Sequence, residues 1–253
     1  MALPDYPDAR RTALFLDFDG TLVDIVARPD AVAVTEATRT AIATIAEYTD
    51  GALAIVTGRD IATIDAFVAP LRLPIAGVHG FTRRDAMGKV QMPEIDGELL
   101  DKLKEGLNLL CGEHEGLLLE EKAGSVALHF RARPELEDAC IAAMERIVDG
   151  AGGFRVSRGK MVVEARPEGA NKGAAVTAFM SEAPFAGRVP LFAGDDVTDE
   201  DAFETVNAVG GISIKVGEGV TAAAFRAPTT AAFVAWLVDY AQHLEGGEDR
   251  ERS

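Results

Sequence analysis

The chain has 253 residues, 48% of them hydrophobic and 26% charged, with a formal net charge of −16. This length allows one large domain or two modest ones around a real core, and the acidic balance argues against a nucleic-acid binder, which needs a basic face. Two cysteines, Cys111 and Cys140, are too few for a disulfide framework or a zinc site; with no apolar signal core and no run of about 18 apolar residues, the expectation is a monomeric, cytoplasmic protein without membrane contact.

The apolar run "TALFLDF" (12–18) reads as a buried strand. Helical spacing follows over "TEATRTAIATIAEYTDG", with Gly51 at the stop. "ALAIVTG" is a second buried strand, "DIATIDAFV" a helix with Asp60 as N-cap, and "LPIAGVHG" a third strand. Short apolar runs alternating with helices predict a parallel sheet covered on both faces.

From 83 to 167 the style changes. Helices over 97–111 and 134–149 alternate with the strand pairs "LLLEEK" and "SVALHFR", then "FRVSRG" and "KMVVEAR". This order predicts a small antiparallel sheet with helices on one face. After Pro167 the first style returns: helix "KGAAVTAFMSEA", buried strand "VPLFAG", helix "TDEDAFETV" capped by Thr198, strand "GISIKV", and a closing helix "TAAFVAWLVDYAQHL" before the charged tail "EGGEDRERS", expected to be disordered. The fold class is therefore α/β: a doubly wound core from 1–82 and 168–253, with an α+β domain of 83–167 inserted and linkers near 81–90 and 166–170.

Four places in the core carry chemistry. Residues i and i+2 of a strand point the same way, so Asp17 and Asp19 can converge at the carboxyl end of the first strand, where open α/β sheets bind ligands. A plain Asp-Gly turn is the simpler alternative for Asp19 and Gly20. Thr57 ends the second strand, Asp195 and Asp196 end a later one with Asp199 a turn further on, and Lys172 enters a helix. Acids at two strand ends, a hydroxyl at a third and a lysine suit a hard cation such as Mg²⁺ together with a phosphoryl group. A carboxylate is a nucleophile at neutral pH without a helper base. A second acid can protonate a leaving oxygen and then activate water.

In order, D-x-D-G-T at 17–21, Thr57, Lys172 and G-D-D-x-x-D at 194–199 resemble the four motifs of the haloacid dehalogenase superfamily of phosphatases. The resemblance implies a Rossmann-like core and a Mg²⁺ cofactor. It also implies that Asp17 is the nucleophile, Asp19 the general acid/base, and Thr57 and Lys172 the phosphoryl holders. Asp17, the backbone carbonyl of Asp19, and Asp195 would be metal ligands, with Asp196 and Asp199 behind them. The inserted domain sits where sugar phosphatases of this superfamily carry a cap.

Within the insertion, strand alternation gives an apolar face and a charged one. Val126, Leu128 and Phe130 oppose Ser125, His129 and Arg131; Met161, Val163 and Ala165 oppose Lys160, Glu164 and Arg166. Mixed carboxylates and cations can bind sugar hydroxyls, though a solvated face with cross-strand ion pairs is the plain alternative. The stretches "EEKAGSVALHFR", "RGKMVVEARPEGANKG", "IAGVHG" and "GDDVTDE" resemble the trehalose-6-phosphate phosphatases. That likeness implies that Glu120, Lys122, Arg131, Lys160 and Glu164 grip the sugar, with His129 a structural partner. Another sugar phosphate as substrate, or a degenerate sugar-phosphate-binding module, remain the alternatives. No phosphate-binding glycine loop of a nucleotide enzyme occurs at a strand–helix turn.

Overall fold

The computed structural model describes residues 2–25, 32–92, 97–122, 124–151, 153–159 and 161–251. Two compact units form, one of 1–91 with 171–253 and one of 92–170.

In the first unit the strands are β1 (Thr12–Leu16), β2 (Leu53–Val56), β3 (Ile75–Gly77), β4 (Thr82–Arg84), β5 (Val90–Gln91), β10 (Val189–Gly194), β11 (Ile212–Val216) and β12 (Phe225–Ala227). They lie in the order β12-β11-β10-β1-β2-β3-β4-β5. All pairs from β12 to β3 are parallel; β3–β4 and β4–β5 are antiparallel. Alternation along β1 builds both layers. Leu14 and Leu16 pack with Ile42 and Ile45 of α1 (Glu36–Tyr48), Ile64 of α2 (Ile61–Val68) and Leu237 of α7 (Thr230–Glu251). Ala13 and Phe15 pack with Val176 and Phe179 of α5 (Lys172–Met180) and Phe203 of α6 (Glu200–Ala208). From β1 the chain runs to β2 on one side, and β10 arrives on the other. The carboxyl end of β1 is thus the switch point at which such sheets leave a crevice.

In the second unit β6 (Leu118–Lys122), β7 (Ser125–His129), β8 (Phe154–Gly159) and β9 (Val162–Pro167) form an antiparallel sheet in the order β6-β7-β9-β8. Val126, Leu128, Val163 and Ala165 pack against Leu103 and Leu107 of α3 (Gly97–Glu113) and Cys140 and Met144 of α4 (Glu137–Ala151).

Four expectations differ. The units divide at 91/92 and 170/171, not at 82/83 and 167/168. The reason is that the stretch near 81–90, read as a linker, falls in the β4–β5 hairpin on the edge of the core sheet. Asp196, not Thr198, caps the turn Val197–Asp199 that leads into α6. The run to Gly80 is strand only as far as Gly77, then a turn in which Val78 and His79 have φ of 50° and 55°. Finally α7 continues to Glu251, through most of the segment read as a disordered tail.

The hairpin is bolted on by a buried guanidinium. Arg84 donates to both Asp65 oxygens, at 2.7 and 2.6 Å, and to the Leu73 carbonyl at 3.1 and 2.8 Å. Bonding to Arg84 holds the Asp65 carboxyl below its ordinary range. Asp65→Asn should lower the unfolding free energy by about 2 kcal/mol, because a buried charge loses its partner; denaturant unfolding measures this. In the native protein the contribution should be full above about pH 4, the ordinary carboxyl value, and be lost as pH falls through the depressed folded value of Asp65.

Candidate active site

The nucleophile candidate is placed by backbone before it is placed by side chain. Its amide donates to the Ala193 carbonyl at 2.9 Å, so Asp17 continues the β1–β10 ladder one residue past the strand. The Asp17 carboxylate is then held at both oxygens. Lys172 donates to Oδ1 at 2.6 Å and the Thr21 hydroxyl to Oδ2 at 3.1 Å. Thr21 can reach back because Gly20, with φ of 81°, turns the chain; a side chain at Gly20 would also collide with the Asp195 carboxylate.

Lys172 is the first residue of α5, after the N-cap Asn171. Its ammonium also donates to Asp199 Oδ1 at 2.6 Å. The other Asp199 oxygen accepts from the amides of Asp195 and Asp196, at 3.0 and 2.9 Å. Asp199 is therefore consumed in holding the loop after β10, where Asp195 stands. Asp17, Asp195 and Asp199 offer carboxylate oxygens within 4.8 Å of one another. Asp196 is exposed, and its carboxylate accepts from the Val197 amide as a cap.

Three clustered acids with one bridging ammonium leave an excess of negative charge. Burial first, and then the carboxylates of Asp199 and Asp195, push the Asp17 carboxyl well above its ordinary range, although Lys172 opposes the shift. Burial, Asp199 and Asp196 push Asp195 up to about 6. Lys172 stays charged: burial would lower it, but Asp17 and Asp199 raise it. Acids so displaced are what a cation would relieve, and the donors are hard oxygens suited to Mg²⁺. Asp199 accepts three hydrogen bonds, Asp17 two, so Asp17 and Asp195 are the carboxylates that keep more capacity for a cation.

Asp19 has a partner of its own. Its carboxylate is forked by Arg59, Nε to Oδ2 and Nη2 to Oδ1, both at 2.6 Å. The Arg59 guanidinium lies 5.8 Å from the Phe18 ring centre and 5.2 Å from that of Phe67. Bonding to Asp19 raises the Arg59 pKa further. Arg59 was missed by reading the sequence, though it stands two residues after Thr57 in "TGR".

Thr57 is buried at the end of β2, and its hydroxyl accepts from the Arg59 amide at 3.2 Å. The His79 amide donates to the Thr57 carbonyl at 2.8 Å. A Cβ at Gly58 would lie 2.8 Å from the His79 ring. The glycine thus admits the imidazole, and the "VHG" turn serves to brace the Thr57–Arg59 loop.

In the second unit the register aligns Glu120, Ala127, Glu164 and Ser157 across the four strands. The buried Glu164 accepts from the Ser125 hydroxyl at 2.8 Å, and His129 Nε2 lies 2.8 Å from Glu120 Oε2. Arg166, on the same face as Glu164, donates to the Ser157 hydroxyl at 2.5 Å. Arg131 is exposed in the turn after β7. Lys122 lies on β6, but its side chain, and all of Lys160, fall outside the described residues. Glu121 belongs to the opposite, helix-facing side, 2.9 Å from Lys104 of α3. Ser125, read from the sequence only as lying on the charged face, is the hydroxyl that holds Glu164.

The sequence profile of trehalose-phosphatases matches residues 15–230. The trehalose-6-phosphate phosphatase of Escherichia coli (strain K12) is 39% identical over 241 residues, 95% of this chain and 91% of that protein. Among solved structures, a trehalose-6-phosphate phosphatase related protein has a TM-score of 0.73 at 28% identity, covering 90% of this chain and 96% of its own. The C-terminal domain of the Candida albicans trehalose-6-phosphate phosphatase shares the fold with a TM-score of 0.79 at 22% identity, covering 92% of each chain. A two-unit α/β chain with its acids gathered at the β1 switch point, matched over this length, is a member of the trehalose-phosphatase family.

Proposed function

We propose that this chain is a Mg²⁺-dependent phosphatase that hydrolyses trehalose 6-phosphate to trehalose and phosphate. The observation that carries the reading is the Asp17 carboxylate, fixed at one oxygen by Lys172 and at the other by Thr21 at the β1 switch point.

In the proposed reaction an Asp17 oxygen attacks phosphorus, and the bond from phosphorus to the sugar oxygen breaks. The departing oxygen takes a proton from the Asp19 carboxyl group. Water then attacks the aspartyl-phosphate at phosphorus, its proton passes to the Asp19 carboxylate, and the bond from phosphorus to Asp17 breaks, restoring both acids. Asp19 must exchange Arg59 for the substrate to do this, since the guanidinium occupies both of its oxygens. Thr57 and Lys172 hold the phosphoryl oxygens. Asp17, Asp195 and the backbone carbonyl of Asp19 would hold the metal, with Asp199 and Asp196 behind them. When bound, the cation supplies positive charge opposite the phosphoryl group.

Sugar selection belongs to Glu120, Lys122, Arg131, Lys160 and Glu164 of the 92–170 unit. The Ser125 and His129 partners support this by keeping Glu164 and Glu120 in fixed orientations. Carboxylates accept from sugar hydroxyls, and the cations donate to them.

Phosphate release from trehalose 6-phosphate, sucrose 6-phosphate and glucose 6-phosphate, with and without Mg²⁺, tests the assignment. The trehalose ester should be preferred and metal required; equal turnover of all three would remove the substrate claim. Asp17→Asn should reduce hydrolysis of every ester by several orders of magnitude. Glu164→Ala should reduce turnover of trehalose 6-phosphate far more than that of a small aryl phosphate, which needs no sugar contacts.

A further inference from the structure

A second buried lysine stands next to the site without a part in the proposed chemistry. Lys215 lies on β11 and is 5% exposed. In the sheet it is in register with Gly194, the residue before Asp195. Its ammonium donates to the backbone carbonyl of Asp195, and to that of Val216 at 3.2 Å. Burying an ammonium is unfavourable unless its donors are satisfied, and here one is spent on the main chain of the loop that carries Asp195 and another on that of its own strand.

The Asp195 peptide is thereby fixed from both ends. Its amide is bonded to Asp199 and its carbonyl to Lys215. On the third side the carboxylate abuts the backbone of Gly20, where no side chain would fit. The Asp199 bond belongs to the acidic motif itself. Lys215 comes from the neighbouring strand and from 20 residues downstream.

We propose that Lys215 is a positioning residue for the cation site. By holding the Asp195 carbonyl it sets the direction of the Asp195 carboxylate, and so the affinity for the metal. The proposal rests on the reading of Asp195 as a metal ligand. Two effects of Lys215 oppose each other. As a charge the ammonium repels an incoming cation and already offsets part of the repulsion among the acids that the cation would relieve; as a hydrogen-bond donor it removes the freedom of the ligand loop. Groups behind a metal's ligands typically change its affinity by about 10- to 100-fold. The positioning effect therefore governs.

The test is a Mn²⁺ titration of the full, substrate-free chain followed by electron paramagnetic resonance, comparing the native protein with Lys215→Met. Met fills similar space and donates nothing. The expected result is a folded variant, by circular dichroism, that binds Mn²⁺ about tenfold more weakly. A merely structural role would lower the melting temperature and leave the affinity of the folded protein unchanged. Equal or tighter binding by the folded variant would overturn the proposal while leaving the metal site standing. Absence of Mn²⁺ binding in the native protein would overturn the metal reading and this proposal with it. If Lys215→Met does not fold, Lys215→Gln, which loses the charge and reaches less far, takes its place with the same two readings.

Discussion

The ammonium of Lys172 lies 2.6 Å from a carboxylate oxygen of Asp17 and 2.6 Å from one of Asp199, with all three side chains out of water. Taking one ion from water into a protein interior costs several kcal/mol even after relaxation, so this triad persists because it is almost fully bonded. Lys172 serves two acids, Thr21 completes Asp17, and two backbone amides complete Asp199. Balance is still incomplete once Asp195 is counted. The result is raised pKa values on Asp17 and Asp195, and a place that a divalent cation would neutralise.

That demand for compensation shapes the surrounding fold. Lys172 must enter at the first turn of α5, so Asn171 caps the helix one residue before it. Asp195 must follow β10 at once, so Asp196 and Asp199 build a capped turn before α6 begins. Gly20 must lack a side chain for Asp195 to stand where it does. On the β2 side, Thr57, Gly58 and Arg59 form a loop supported by the strained Val78–His79 turn. Strain of this kind survives where surrounding bonds over-determine the backbone. Here the His79 amide bond to Thr57 and the close packing of its ring on Gly58 do so.

The acids, the threonine and the lysine were legible in the sequence because each falls where an apolar run stops or a helix starts, and strand period fixes the direction of Asp17. Arg59 was not legible as a partner of Asp19. The two are 40 residues apart, and nothing local in "TGR" says where a guanidinium will reach. Strand period speaks to the direction of the Asp19 carboxylate but says nothing of the fork that holds it. Thr198 failed as a cap because Asp196 and Asp199 cap each other reciprocally, a closure invisible without the turn. The β4–β5 hairpin was missed because its strands are three and two residues long and the first carries two arginines. Period is unreadable at that length, and the energetic reason for the pairing, Arg84 on Asp65, lies in α2.

Asp17 is the element on which the account stands or falls. Turning over trehalose 6-phosphate with Mg²⁺, quenching with acid and examining the peptide that contains Asp17 by mass spectrometry measures it directly. The account predicts one added phosphoryl group on Asp17, absent without substrate and lost on treatment with hydroxylamine. Hydrolysis proceeding at full rate with Asp17 unmodified under the same quench, or with the phosphoryl group on another residue, would contradict it.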